Sequence, residues 1–330
     1  MCWCATTPGP CLEATEFHVT LGRLDIVGPS PLLQDKTCIS GQNCFIDGLL
    51  GTYTGSGDHV LIADTCGSET AIIAGTVNAG LADLATALVA TWGKNPLTSA
   101  GGQYRLCWCS GAAECVQAGA FATDMGALLL VGPAPLDQHR TCISGLTCKF
   151  DGLTGRHMSS EDRVLLLDTC GAASSPFSAF WAATTKVTMG FGATVSWGDT
   201  PLKVSGGLYR LCWCSGELGE EPCSVAEGTA ESFAMTAGML TVKGPAPLQQ
   251  DRTCVSGQVC SFDDMLGQHL SETDKIVVLE TCGTDMLEAR FPSVSASGSA
   301  ITWGFVSPTV STLPAAPRRA SGLTWVCSLS

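Results

Sequence analysis

The sequence is poor in charged residues, in histidine and in basic clusters. Only 14% of its 330 residues are charged, which is well below the quarter that is usual for a soluble chain. No run of Lys or Arg reaches three, so we expect no phosphate-binding surface and no nucleic-acid partner. Five histidines and the lack of C-x-x-C pairs argue against a zinc site. The net charge of −13 fits solubility or a cationic partner and decides nothing alone.

Motifs for catalysis and for membrane insertion are also missing. The chain contains no G-x-S-x-G, Walker or H-E-x-x-H pattern, so we expect it not to be an enzyme. The longest apolar stretch, residues 70–92, is interrupted by Asn78 and Asp83, and no membrane span is predicted. No signal peptide follows Met1. If the protein is secreted, we expect its targeting signal to lie outside this sequence.

Cysteine is what the chain has in abundance, with 19 residues. So many cysteines are rare in cytosolic proteins, where reducing buffers keep thiols free. Because metal-binding spacings are missing, we expect disulfides, and with them an extracellular protein or the ectodomain of a surface protein.

Several sequence blocks return three times. C-W-C begins at Cys2, Cys107 and Cys212, at a step of 105 residues both times. Four other blocks recur in the same order after each C-W-C. G-P-x-P begins at Gly28, Gly132 and Gly244, and a pair of cysteines at short spacing begins at Cys38, Cys142 and Cys254. T-C-G begins at Thr65, Thr169 and Thr281, and W-G begins at Trp92, Trp197 and Trp303. Residues 321–330 align with a fourth, degenerate C-W-C block that retains Cys327.

The G-P-x-P blocks are the predicted module boundaries, because proline denies a sheet a hydrogen-bond donor. The predicted domains are a partial module at 1–27, repeat 1 at 28–131, repeat 2 at 132–243 and a truncated repeat 3 at 244–330. Repeats 1 and 2 each contain six cysteines, the even set that a self-contained framework requires. Residues 1–27 resemble the last two strands of a module, and we hypothesise that they complete repeat 3 within a chain or between chains.

Alternation of side chains predicts strands. In residues 209–214, Tyr209, Leu211 and Trp213 share one face, and Cys212 and Cys214 share the other. Module length, strand spacing and turn density favour an all-β fold of tandem, disulfide-stapled β-sandwich modules of immunoglobulin-like type, arranged in a row. Another small all-β form, such as a barrel, stays open.

Short loops favour local disulfides between neighbouring cysteines. The loop of five residues between Cys142 and Cys148 contains a glycine and closes easily. The local pairs predicted are Cys142–Cys148, Cys38–Cys44, Cys254–Cys260 and Cys109–Cys115. A longer pair, Cys107–Cys170, is also predicted, with Cys66 as the equally open partner of Cys107.

Acidic residues also recur, and they are candidate ligands for Ca²⁺, which takes six to eight oxygens. The recurring positions are Asp47, Asp151 and Asp263; Asp58, Asp162 and Asp274; and Asp64, Asp168 and Glu280. Turn and cap chemistry is the competing explanation.

The tryptophans of the W-G blocks are candidates for stacking on sugar rings, with core packing as the alternative. Apart from Ca²⁺, no cofactor is expected.

The strings G-G-Q-Y-R-L-C-W-C at 101–109 and G-G-L-Y-R-L-C-W-C at 206–214 resemble motifs of cysteine-rich tandem-repeat surface or secreted proteins of alveolate protists. The resemblance implies an extracellular setting and no particular activity. We therefore expect a non-enzymatic spacer or adhesion segment that meets a protein or glycan partner at the cell surface. The rival hypotheses are a glycan- or Ca²⁺-dependent binding module and, less favoured, a secreted enzyme.

Overall fold

The structure is a computed structural model of the whole chain. It describes every residue except 7–8, 10, 53, 56, 70–72, 86–87, 173–182, 189–191, 217–222, 224–229, 256–259, 263–264, 272, 277–278, 280, 284–317, 321–322 and 326–330.

The described residues form strands joined by turns, and they include no α-helix. The prediction of an all-β protein is confirmed. Among the described residues, three short 3-10 helices lie at Ala14–Glu16, Val77–Gly80 and Ala118–Ala120, and no described helix is long and apolar enough to cross a membrane. The strands are β1 (Cys2–Trp3), β2 (Val19–Thr20), β3 (Gly28–Pro29), β4 (Lys36–Ile39), β5 (Phe45–Ile46), β6 (Gly51–Thr52), β7 (His59–Ala63), β8 (Leu81–Ala85), β9 (Val89–Thr91), β10 (Gly102–Cys109), β11 (Thr123–Pro133), β12 (Arg140–Ile143), β13 (Lys149–Leu153), β14 (Gly155–Arg156), β15 (Arg163–Leu167), β16 (Ala183–Thr188), β17 (Gly192–Ser196), β18 (Gly207–Cys214), β19 (Met235–Pro245), β20 (Cys260–Phe262), β21 (Met265–Gln268), β22 (Arg318–Ala320) and β23 (Leu323–Trp325).

The chain divides into two compact units. The first consists of Met1–Cys38, Asn43–Ser99 and Gln103–Leu130, and the second of Ile39–Gln42, Ala100–Gly102 and Val131–Ser330. The four-part division predicted from the sequence, with boundaries at 28, 132 and 244, stays a prediction.

The same strand order occurs in both units. In the first unit, neighbouring strands follow the order β5-β9-β8-β7-β10-β11, and β4 pairs with β11. In the second unit, the order β13-β17-β16-β15-β18-β19 repeats it, and β12 pairs with β19 in parallel. The sequence repeat is therefore also a repeat of topology.

Both faces of the central strands are buried. In β7 and β10, alternate side chains enter a large core on one face and a smaller, cysteine-lined core on the other, as the period of two requires. The large core takes Val60, Ile62, Leu106 and Trp108, and the smaller one takes Leu61, Ala63, Cys107 and Cys109. Burial of an aliphatic or aromatic side chain contributes about 1.5–3 kcal/mol. Such strands need few charges, which accounts for the low charge content of the chain.

The G-P pairs lie in sheet ladders. Gly28–Pro29 pairs with Gly51–Thr52, and the equivalent residues of the second and third copies pair in the same register: Gly132 with Arg156, and Gly244 with Gln268. Gly132 has a φ of 150°, a conformation that side chains rarely adopt. A Cβ there would lie 2.8 Å from the Cβ of Ser40, so the position requires glycine.

Seven disulfides have both cysteines among the described residues. They are Cys4–Cys11, Cys38–Cys44, Cys66–Cys107, Cys109–Cys115, Cys142–Cys148, Cys170–Cys212 and Cys214–Cys223. The local pairs Cys38–Cys44, Cys109–Cys115 and Cys142–Cys148 form as their short loops predict. Cys254 is disulfide-bonded, but the side chain of Cys260 lies outside the described residues, and Cys254–Cys260 stays a prediction.

The predicted Cys107–Cys170 bond is wrong, and the alternative that was equally open, Cys66 as the partner of Cys107, is confirmed. Cys107 bonds to Cys66, and Cys170 bonds to Cys212. The reason is strand pairing: β10 lies antiparallel to β7, and Cys66 follows β7 directly in the chain. The Cα atoms of Cys66 and Cys107 are therefore 5.4 Å apart, within the range that a disulfide spans.

We expect the long disulfide to stabilise its module more than the short one. Replacing both Cys66 and Cys107 by Ala opens a loop with a sequence separation of 41, whereas Cys38 and Cys44 are only 6 apart. On the chain-entropy model, the losses are about 4 kcal/mol and about 2 kcal/mol. Hydrogen exchange of the β10 amides measures both as changes in the free energy of opening. Equal losses from the two double variants would contradict the assignment.

Candidate functional site

The strand that carries C-W-C is the most constrained element of each described repeat. β10 lies between β7 and β11, and β18 lies between β15 and β19. Both cysteines of C-W-C lie on one face of the strand, and each forms a disulfide there. The tryptophan between them packs on the opposite face. Trp213 is fully buried, and its five-residue neighbourhood from Leu211 to Ser215 is buried throughout. This docked strand is the feature that the repeat reproduces, and we take it as the candidate functional site.

An aspartate ties the end of the C-W-C strand to the turn before its partner strand. Asp58 Oδ2 accepts a hydrogen bond from the Gly55 backbone N–H (3.1 Å), and its Oδ1 accepts one from the Gly111 N–H (2.8 Å). Gly111 is two residues beyond Cys109, at the far end of β10. The carboxylate therefore bridges two segments that are distant in sequence.

Asp162 does the same in the second unit and accepts one bond more. It accepts from the backbone N–H groups of Ser159 (2.9 Å) and Gly216 (3.2 Å). The indole Nε1 of Trp213 also donates to its Oδ2 (3.2 Å). Both aspartates are buried, where a carboxylate must be paired or hydrogen-bonded. We call this arrangement the aspartate clasp.

A tyrosine near the start of β18 fixes the opposite end of the strand. The Tyr209 hydroxyl donates to the carbonyl oxygen of Ser205 at 2.8 Å. Burial raises the pKa of Tyr209 above its ordinary value, and the nearby charge of Asp168 adds to the effect. Burial and Asp64 raise the pKa of Tyr104 in the same way. Both shifts favour the protonated hydroxyl, which the hydrogen bond from Tyr209 requires.

The predicted Ca²⁺ ligands are not assembled into a cation site among the described residues. No three acidic, histidine or cysteine side chains there are grouped as a metal ion would require. Asp58 and Asp162 serve the clasp, and Asp274 accepts from the Ser271 N–H at 2.9 Å. The remaining positions are dispersed: Asp47, Asp64, Asp151 and Asp168 are exposed, and Asp263 and Glu280 lie outside the described residues. Turn chemistry, the competing explanation, accounts for the clasp aspartates.

The tryptophans of the W-G blocks do not form an exposed stacking surface in the described residues. Trp92 is buried, and its Nε1 donates to the Gly80 carbonyl at 2.7 Å. Trp197 is half-buried and lies against the ring of Phe150, with centroids 5.9 Å apart. Trp303 lies outside the described residues. Trp92 is thus a core residue and not available to a sugar.

A glutamine that the sequence reasoning missed repeats in all three copies. Gln34, Gln138 and Gln250 each stand four residues before the first cysteine of the short loop. The Nε2 of Gln138 donates to the carbonyls of Pro135 (2.7 Å) and Thr154 (2.9 Å), and its Oε1 accepts from the Thr154 N–H (2.8 Å). Gln34 and Gln250 make the same three bonds. The presence of glutamine at this position in all three copies is the sequence signal that could have identified it.

No protein-family model matches the chain, and no curated protein matches it in sequence. Among solved structures, the chain is similar to the Bacteroides ovatus mixed-linkage glucan utilization locus protein SGBP-B in complex with a mixed-linkage heptasaccharide, with 15% identity and a TM-score of 0.20. It is also similar to immunoglobulin domains 1–5 of Sidekick-1, with 9% identity and a TM-score of 0.18. The matches cover 66% and 74% of this chain but only 48% and 41% of those chains.

Removal of the clasp should destabilise the second unit selectively. In Asp162→Ala, two backbone N–H groups and the Trp213 indole lose a charged acceptor, and we expect the free energy of opening of β15 and β18 to fall by about 2–4 kcal/mol. Asp168→Ala is the matched control, because Asp168 is exposed and its loss should cost no more than about 0.5 kcal/mol. Hydrogen exchange of the two strands gives both values. A loss for Asp162→Ala as small as that of the control would refute the clasp.

Proposed function

We propose that the chain is a non-enzymatic segment of an extracellular repeat protein, in which immunoglobulin-like β-sandwich modules follow one another in a row. The row acts as a spacer or adhesion segment and presents repeated faces to a protein or glycan partner. The observation that carries the proposal is the twofold occurrence of one strand order, with its own closed set of disulfides each time.

Each complete repeat has the means to hold itself together. The long disulfides Cys66–Cys107 and Cys170–Cys212 stay within residues 28–131 and 132–243, as do the local ones. Self-contained units with short connections are what a row requires. The Tyr209 bond to a backbone carbonyl four residues upstream resembles the tyrosine corner of immunoglobulin-like sandwiches, but Tyr209 stands three residues before Cys212 and not two.

The cysteine chemistry supports an extracellular setting. Disulfides form and persist in oxidising compartments and are rare in the cytosol. In each complete repeat all six cysteines are bonded in three pairs. In a reducing cytosol these disulfides would be reduced. The loss of each long disulfide would lower the free energy of unfolding by about 4 kcal/mol.

The groups that carry chemistry in many enzymes serve here as scaffold. The buried carboxylates of Asp58 and Asp162 accept hydrogen bonds from backbone N–H donors. The buried indoles of Trp92 and Trp213 donate to a carbonyl and to a carboxylate. These hydrogen bonds join backbone segments that are distant in sequence, which supports a structural role.

Solution scattering tests the row. For three modules in line, we expect a radius of gyration of about 30 Å or more, against about 20 Å for a compact globule of this length. Small-angle scattering of the oxidised chain measures it. A value near 20 Å would refute the row, and with it the spacer function.

A calcium titration tests the rival function. Because the clasp carboxylates already accept hydrogen bonds, we expect the melting temperature to be the same with millimolar CaCl₂ as with EDTA. Millimolar MgCl₂ is the control for ionic strength. An upward shift specific to calcium would instead favour a Ca²⁺-dependent binding module.

A further inference from the structure

Four residues of the first repeat belong to the second compact unit. They are Ile39–Gln42, and they lie in the short loop between the disulfide-bonded Cys38 and Cys44. We call Ile39–Gln42 the docking loop. Its residues precede the boundary at Gly132 in the sequence, yet in the structure they are grouped with the residues that follow that boundary.

The docking loop is held in shape by its own contacts. The Cys38–Cys44 disulfide joins the residues on either side, whose Cα atoms are 5.5 Å apart. The Gln42 N–H donates to the Ile39 carbonyl at 3.2 Å and closes a turn. A loop that is already in its bound conformation loses little conformational entropy when it docks.

Ser40 is the centre of the docked contact, and it is only 1% exposed. Its backbone N–H donates to the carbonyl oxygen of Val131 at 2.8 Å. Its hydroxyl donates to the sulfur of Met235 at 2.8 Å. Met235 is the first residue of β19 and is 0% exposed. A serine of the first repeat is therefore buried against a core residue of the second.

Three residues of the second repeat form the surface that receives the loop. A Cβ at Gly132 would lie 2.8 Å from the Cβ of Ser40 and 3.5 Å from Cζ3 of Trp213. A Cβ at Gly41 would lie 3.0 Å from the Cβ of Met235 and 3.1 Å from its backbone N. We call Gly132, Trp213 and Met235 the socket. Side chains larger than glycine at either position would push loop and socket apart.

The backbone part of this contact recurs at the next boundary. The Ser144 N–H donates to the Lys243 carbonyl at 2.8 Å, and a Cβ at Gly244 would lie 2.7 Å from the Cβ of Ser144. The first cysteine of the short pair is followed by I-S-G in repeats 1 and 2 and by V-S-G in repeat 3. The contact between this serine and the glycine of G-P-x-P is therefore a property of the repeat.

We propose that the docking loop of one repeat recognises the socket of the next repeat, and that this contact couples the folding of the two. The partner of the socket is a disulfide-closed I-S-G loop of the same chain. Opening of β18 and β19 then requires release of the docking loop, so a change in the first repeat alters the stability of the second. The proposal goes beyond the spacer function and does not depend on the row, which solution scattering tests separately.

A matched pair of glycine variants tests the coupling. Gly41→Val and Gly145→Val place the same side chain at the same loop position, where φ is 83° and 85°, and they introduce similar backbone strain. Only Gly41 faces Met235, because a Cβ at Gly145 has no atom within 4 Å among the described residues. In hydrogen exchange of the full oxidised chain, we expect the protection of the β19 amides next to Met235 to fall about tenfold or more in Gly41→Val.

The two variants also separate the coupling from a local effect. We expect Gly145→Val to lower the protection of these amides much less than Gly41→Val does. If each loop acted only on its own repeat, the order would be the reverse, because Gly145 lies in the repeat that contains Met235. Equal losses, or a larger loss in Gly145→Val, would overturn the coupling.

An engineered disulfide tests the contact without adding volume to the socket. In Gly41→Cys with Met235→Cys, the two Cβ atoms lie close to the separation that a disulfide spans, and oxidised glutathione accepts the two electrons. Peptide mapping should find positions 41 and 235 linked, and no such link in the control, Gly145→Cys with Met235→Cys. A missing link between 41 and 235, or the same degree of linkage in the control, would overturn the docking even if the valine variants fail to fold.

Discussion

Each complete repeat depends on docking one late strand between two others. The strand that carries C-W-C pairs with an earlier strand on one edge and with a later one on the other. Its two cysteines lie on one face and each forms a disulfide, and its tryptophan packs in the core on the opposite face. The aspartate clasp holds the end of the strand. Because contacts of every kind converge there, loss of this strand would expose both cores at once.

This constraint explains the composition of the chain. A strand covered on both faces has no position for a charge, and the runs Val60–Ala63 and Val164–Leu167 are buried throughout. Asp58, Asp162 and the repeated glutamine enter these regions and are hydrogen-bonded, whereas the buried Nε1 of Trp108 has no hydrogen-bond partner among the described residues. In residues 1–27, the equivalent apolar side chains of Trp3 and Leu24 are exposed.

The sequence predicted the local features of this arrangement and left the long-range disulfide undecided. Period-two alternation placed the cysteines and the tryptophan on opposite faces, and short loops identified Cys38–Cys44, Cys109–Cys115 and Cys142–Cys148. The partner of Cys107 could not be chosen in this way, because it depends on which strand lies next to β10. Spacing along the chain contains no information about that neighbour.

The polar residues show the same difference between local features, which are visible in the sequence, and long-range contacts, which are not. The recurrence of Asp58 and Asp162 was visible, but a carboxylate that caps backbone N–H groups and one that binds calcium look alike in sequence. Only the positions of Gly111 and Gly216, about fifty residues away, distinguish them. Gln34 and its equivalents were overlooked because a glutamine amide in a sequence gives no indication of its hydrogen-bond partners. One of the two backbone partners of Gln34 lies 16 residues away.

In the structure, each C-W-C strand is bonded to the repeat that contains it. Peptide mapping of the unreduced, alkylated protein locates these bonds. We expect one linked peptide pair containing Cys66 with Cys107 and another containing Cys170 with Cys212. A Cys107–Cys170 peptide, or free thiols at these four positions, would refute this bonding.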